Sequence, residues 1–202
     1  MPSRRRANRL ALSACLASTA LFAGCNARQA ALLDGEPALE RRGTPDAAAA
    51  AGFVVDCPAG ESWVARLDQQ AFDARLELVD SRGERRVAVA GPARGGGHEF
   101  LFAAGSTDAP QRLRVVAERP APASARFVLQ VHCLRSPPAA AVAALRAMNA
   151  AADPSRTTEE ARRDAAVADY EAAAATWTRL GETALAAEAA LQLAALHYYE
   201  RE

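Results

Sequence analysis

Arg126-Phe127-Val128-Leu129-Gln130-Val131-His132-Cys133-Leu134-Arg135-Ser136-Pro137-Pro138-Ala139-Ala140-Ala141 holds the boundary on which the fold turns. Phe127, Leu129 and Val131 alternate with other residues at the period of a strand that buries one face. After Pro138 the alternation stops and an alanine-rich, helix-favouring composition begins, with Ser136-Pro137-Pro138 as the break. Reading back towards the N-terminus, the period of two recurs. Phe53-Val54-Val55-Asp56-Cys57 runs into a Pro58-Ala59-Gly60 turn, and Trp63, Ala65 and Leu67 then alternate with their neighbours. Ala74, Leu76 and Leu78 lead to the turn Asp80-Ser81-Arg82-Gly83. Val87 and Val89, Phe100 and Phe102, and Leu113 and Val115 complete the series. Short alternating strands cut by Gly, Pro and Asp turns predict a small antiparallel β-sandwich, jelly-roll-like, over 53–135. Its Trp63 then faces the core.

Reading forward, the pattern predicts helices over Ala139–Ala152, about Thr157–Leu180 and about Thr183–Arg201. Asp153-Pro154 breaks the first from the second, Thr157 or Thr158 can cap, and Glu159-Glu160 suit the positive end of a helix dipole. Gly181 separates the last two. The expected fold class is α+β in separate segments, a sandwich followed by helical hairpins over 138–202.

The N-terminus carries a different signal. Arg4, Arg5, Arg6 and Arg9 form a basic head, Leu10 to Ala23 is uncharged and apolar, and Leu21-Phe22-Ala23-Gly24-Cys25 closes the run. That order is an export signal over 1–24, with a core too short to remain as a span. Cys25 after Ala-Gly resembles a lipobox, with Phe22 where Leu, Val or Ile is usual. The resemblance implies diacylation of Cys25, loss of the leader and anchoring to a membrane. Leu12-Ser13-Ala14-Cys15 matches the lipobox letters too, but only Leu10 and Ala11 precede it as apolar core. An ordinary secretory signal cleaved near Gly24 is the other reading. Asn26 after the cysteine implies, by the same resemblance, passage to the outer membrane of a bacterial envelope. Residues 25–52 are rich in Ala, Gly and Pro, include the run Ala47–Ala51, and read as a flexible tether. Within it, Leu39-Glu40-Arg41-Arg42 can pair as a short first strand.

Composition narrows the functional classes. All 24 basic residues are arginine and the chain has no isoleucine, the mark of a GC-rich genome. The leader removes four of those arginines, so about 178 mature residues carry twenty against 24 acidic residues. With no arginine-rich face interleaved with aromatics, nucleic acid is not an expected partner. If Cys25 carries lipid, Cys57 and Cys133 remain, and an even pair in an exported protein reads as a disulfide. Two unpaired buried thiols are the alternative.

Within the helices, Ala166, Tyr170 and Ala173 lie at spacings of four and three, and Leu193, Ala194 and His197 at one and three. These resemble the second-helix and first-helix signatures of tetratricopeptide repeats. There, small residues let helices approach and an aromatic fills the groove between hairpins. Trp177-Thr178-Arg179-Leu180-Gly181-Glu182 resembles the Trp-x-x-Leu-Gly-Asp turn of longer repeats. Ala194 stands where Gly is usual, and His197 where Tyr is usual. An unrelated alanine-rich hairpin is the competing reading. The β segment is similar to the bacterial pre-peptidase C-terminal-like sandwich. Phe53–Gly60, Asp73–Gly83 and Arg126–Val131 carry that similarity.

Sandwich first and repeats second is the order at the front of many CHAT-domain proteins, which are caspase-like peptidases with tetratricopeptide arrays. The resemblance implies a place among such proteins and transfers no catalytic residue, because no His and Cys here match the peptidase. By the repeat alignment, Leu193, Ala194 and His197 belong to a first helix whose second helix would follow. Leu185, Leu193, Leu196 and Tyr199 are therefore expected to be only partly covered, leaving an apolar strip for a partner or for self-association.

His98, His132 and His197 are scattered, with no pair at metal-ligand spacing, so no metal ligand set is readable. Gly95-Gly96-Gly97-His98 lacks the Lys and Ser/Thr of a phosphate loop and reads as a hairpin loop. Asp80 and Asp108 read as turn residues, with a weak calcium site as the alternative. No catalytic constellation and no cofactor are expected. The function implied is a non-enzymatic envelope lipoprotein that meets a protein partner through its helices. The rivals are the N-terminal part of a CHAT-type peptidase and a carbohydrate- or peptide-binding sandwich with Trp63 exposed in a groove.

Overall fold

The alternating stretches form strands and the alanine-rich ones form helices. The structure, a computed structural model, describes residues 32–92, 96–105, 111–154 and 160–199. In chain order the elements are β1 (Leu39–Gly43), α1 (Ala47–Ala51), β2 (Phe53–Val55), β3 (Ser62–Gln70), β4 (Ala74–Val79) and β5 (Arg85–Val89). They continue with β6 (Gly96–Ala103), β7 (Gln111–Ala117), β8 (Arg126–Leu134), α2 (Ala139–Ala151), α3 (Glu160–Leu180) and α4 (Thr183–Tyr199). Leu32–Glu202 is one compact unit, and Met1–Ala31, with Cys25, lies outside the described residues. Thr157, Thr158, Glu159, Gly95 and Asp108 also fall outside them. Among the described residues, no helix is long and apolar enough to cross a membrane.

Two four-stranded antiparallel sheets face each other, one ordered β1-β8-β3-β6 and the other β2-β7-β4-β5. This is a double-sheet sandwich of the jelly-roll kind. Part of the stretch that composition reads as a tether is structured: Leu39 to Gly43 pair along Val131 to Phe127 of β8, and Ala49 of α1 is buried. The inner faces follow the alternation. Trp63, Ala65 and Leu67 of β3 oppose Leu76 and Leu78 of β4 and Leu113 and Val115 of β7 in one core. Trp63 is fully buried and its indole N–H donates to Gln111 Oε1 at 2.7 Å, so the partner a buried Trp needs comes from the facing sheet. The reading in which Trp63 lines an exposed groove is thereby corrected.

One strand runs with the opposite parity to the expected one. In β6, Leu67 pairs with Glu99, Ala65 with Leu101 and Trp63 with Ala103. Glu99, Leu101 and Ala103 therefore share the sandwich face, whereas Phe100 and Phe102 point away from it. Phe102 is nonetheless buried, because helices cover that side of β6. Gly96, Gly97 and His98, expected in a hairpin loop, open this strand opposite Gln70, Gln69 and Asp68.

Apart from α1, the strands precede the helices along the chain, in the separate segments expected, and both contribute to one core. The helix α2 lies along β6. Asn149 accepts from Phe102 N–H at 2.9 Å and donates to Phe102 C=O at 2.6 Å, as a neighbouring strand would. The C-terminal end of α2 also reaches the other sheet, where Ala90 N–H donates to Ala152 C=O at 2.8 Å. The next helix, α3, packs on α2, and Trp177 Nε1 donates to Met148 Sδ at 3.3 Å. A Schellman turn ends α3: Gly181 takes φ +78°, Glu182 N–H donates to Trp177 C=O, and Gly181 N–H to Thr178 C=O.

Cys57, just after β2, and Cys133, on β8, form a disulfide that joins the two sheets across a sequence separation of 76 residues. On the loop-entropy estimate such a bridge stabilises by roughly 4 kcal/mol. Replacing both cysteines by serine should lower the unfolding free energy by up to about that amount without changing the strand content. Urea unfolding followed by circular dichroism checks this; an unchanged midpoint would show that the bridge is energetically idle.

Candidate functional site

The densest polar cluster lies where β6 meets α4. His98 sits between two carboxylates, with Nδ1 3.1 Å from Glu188 Oε2 and Nε2 2.9 Å from Asp68 Oδ1. Arg66 Nε reaches the same Asp68 oxygen at 3.0 Å, and Arg66 Nη2 lies 2.8 Å from His98 Nε2. The role of that nitrogen follows the ring's protonation: it donates to Asp68 in the charged ring and can accept from Arg66 in a neutral one. Hydrogen bonds to Asp68 and then to Glu188 push His98 up to about 9, outweighing the burial that opposes its charge. Burial raises Asp68, but His98 and Arg66 outweigh it and hold the carboxyl below its ordinary value.

The helix supplies its half of the cluster from one turn. Glu188 and Gln192 are four residues apart and so share a face. Gln192 Nε2 donates to Glu188 Oε1 at 2.7 Å and to His98 C=O at 3.0 Å. Gly91 permits this approach: a Cβ there would stand 2.6 Å from Gln192 Oε1. Beneath, on the sandwich face of β6, Glu99 accepts from Gly91 N–H at 2.5 Å and from Gln69 Nε2 at 3.2 Å. Gln69 Oε1 in turn accepts from Ala74 N–H at 2.7 Å. Burial pushes Glu99 up to about 8, with the nearby Glu188 charge adding to the rise.

Chemically this is a clasp. The space between His98, Glu99, Met148, Tyr170 and Glu188 is about 10 Å³, room for one water at most. No serine, threonine or cysteine lines it. Among the described residues, no group of three or more His, Cys, Asp or Glu is placed to hold a metal ion.

The residues singled out from sequence distribute as follows. Cys57 and Cys133 are bonded to each other, and Cys25 lies outside the described residues. Ala166, Tyr170, Ala173 and Trp177 are all buried on α3, and Tyr170 borders the clasp. On α4, Leu193 is half-buried while Ala194 and His197 are exposed. Leu185 and Leu196, expected to be only partly covered, are buried on α4, which packs along α3. The side chain of Tyr199 is not among those described. Asp80 works as a turn residue: its Oδ1 accepts from Arg82 N–H at 2.9 Å and Glu84 N–H at 3.0 Å, and Arg86 takes Oδ2.

Asp68, His98, Glu99, Glu188 and Gln192 were not assembled from the sequence. A signal was present: Glu188 and Gln192 are one turn apart in an otherwise apolar helix. The chain matches no family model, and no curated protein matches it.

The clasp makes a pH prediction. A group raised in the folded state contributes stability in full below its unfolded pKa and loses it as pH rises through the folded one. His98 therefore costs stability as pH rises from about 6.5 to about 9, and Glu99 from about 4.5 to about 8. Asp68 has the opposite sign and costs stability as pH falls below the ordinary carboxylate range. Stability should peak near pH 5, roughly, and decline steadily to pH 9. Urea midpoints across that range, with the His98 ring titration followed by NMR, test it. Stability that climbs over that interval would overturn the assignment.

Proposed function

We propose that the protein is a non-enzymatic lipoprotein of the bacterial envelope, held at the outer membrane through Cys25. Its sandwich supports tetratricopeptide-like helices that dock a protein partner. The observation that carries the docking part is the inverted helix α4. Its polar residues Glu188 and Gln192 point inward, while Leu191, 50% exposed, and Tyr198, 63% exposed, point outward together with Ala184, Ala187 and Ala194. Spacings of three and four place all five on one stripe. Small side chains let a second helix approach closely, and Leu191 and Tyr198 supply anchors. The burial of Ala166, Tyr170, Ala173 and Trp177 against α2 and α4 supports repeat-like stacking, in which Leu193, Ala194 and His197 meet the next helix. The occupant we favour is a second copy of the chain.

A second reading draws on the same exposed positions. In the N-terminal part of a CHAT-type peptidase, further repeats would cover the stripe. Fusing the following repeats would then raise the melting temperature, and Ala194→Glu would cancel the gain.

Two experiments test the main reading. Cys25→Ala should move the protein from the membrane fraction to the soluble one and abolish detergent-phase partitioning; retention with unchanged mobility would remove the anchor. For docking, sedimentation velocity on residues 26–202 should show dimers or larger species, and the double variant Leu191→Glu/Tyr198→Glu should sediment as a monomer with an unchanged melt. A strictly monomeric wild type would count against the stripe as a contact surface.

A further inference from the structure

A second surface lies on the other side of α2, where it faces β5. A groove of about 610 Å³ runs between them, a size in the range of ligand sites. Val87, Ala88 and Ala150 contribute apolar lining, and Arg75, Arg85, Arg86 and Arg146 its charge, against Asp153 as the one lining acid. Arg75 and Arg85 share Glu77 at 2.9 and 3.5 Å, and Arg86 pairs with Asp80. Even so, the side chains of Arg85 and Arg86 stay 59% and 60% exposed, leaving donors of each guanidinium to solvent. Arg146 is exposed and makes no ion pair among the described residues.

Backbone geometry adds an independent feature. β5 ends its sheet and pairs only with β4. Strand amides alternate in direction, and Ala90 N–H points away from β4 to Ala152 C=O. Ala88, two residues earlier, must then turn its N–H and C=O the same way, into the groove. Val87 and Val89 face β4, opposite Leu78 and Leu76. A register shift between Leu78 and Val79 leaves Arg86 without a cross-strand partner. Beyond Ala90 the edge is capped by α2, so the open stretch is short and flanked by arginines.

We propose that this groove binds an extended acidic peptide, which adds as a strand along β5 and sets its carboxylates against Arg146, Arg85 and Arg86. Main-chain bonds to Ala88 supply registration, and the guanidiniums select acidic over basic side chains. Charged residues on an edge also serve to repel other strands, so the experiment separates the two roles.

The probe is a fluorescein-labelled eight-residue peptide of alternating glutamate and valine, with a lysine–valine peptide and inorganic polyphosphate as comparisons. Anisotropy should show saturable binding of the acidic peptide only, weakened by salt and lowered about tenfold in Arg146→Glu. Amide exchange by NMR should slow at Ala88 when the peptide binds, while Val87 and Val89 stay as they were. No saturable binding would overturn the proposal and leave the arginines as edge protection. Binding without slowed exchange at Ala88, or equal binding of polyphosphate, would overturn it in favour of a general anion patch.

Discussion

An open sandwich has two sides where sheet edges face solvent, and the rest of this molecule depends on how the β6/β5 side is closed. Edge strands carry backbone groups that want partners. Here α2 supplies them from a helix. The side-chain amide of Asn149 offers Phe102 one acceptor and one donor, and the carbonyl of Ala152 takes Ala90 N–H from the other sheet. One helix thus bridges both edges. Once α2 is fixed, Met148 positions Trp177 of α3, and the Schellman turn at Gly181 returns the chain as α4 towards β6.

The return is held by charge in a place where charge is costly. Glu188 and Gln192 are buried, and an unpaired carboxylate at that depth would be destabilising by several kcal/mol. His98 offsets this by carrying a proton between Glu188 and Asp68, and Gln192 saturates what remains. The consequence reaches the surface. With its polar residues committed inward, α4 has only alanines, Leu191, His197 and Tyr198 left for most of its outer face. The clasp and the apolar stripe are two sides of one helix orientation, and that orientation links the buried chemistry to the proposed docking.

The opposite side of the sandwich is closed differently. There the edges are β1 and β2, and the Cys57–Cys133 bond ties the segment after β2 to β8, with Phe53 and Phe127 in edge-to-face contact at 6.2 Å. A covalent tie limits separation of the sheets on this side, where the short helix α1 links β1 to β2 and buries Ala49. The groove along β5 remains as the stretch of edge that α2 leaves unpaired.

Local patterns determined much of this by themselves. The period of two from Phe53 to Val131, the break at Ser136-Pro137-Pro138 and the helix lengths after it follow from side chains and turn chemistry within a few residues of one another. The Cys57–Cys133 pairing was legible on the expectation of an exported chain in which Cys25 carries lipid, which left these two thiols as a pair. What sequence could not decide was which faces meet. Phe100 and Phe102 look core-facing by alternation, yet β6 is buried on both sides, and only the packed helices reveal that Leu101 and Glu99 face the sandwich. Leu185 and Leu196 look stranded at the end of a helical array, yet both are buried on a helix that packs along α3. His98 and Glu188 lie 90 residues apart, and no local rule pairs them. Periodicity reports that a residue has a buried side; what lies against it depends on elements that arrive later in the chain, and only the tertiary structure brings those together.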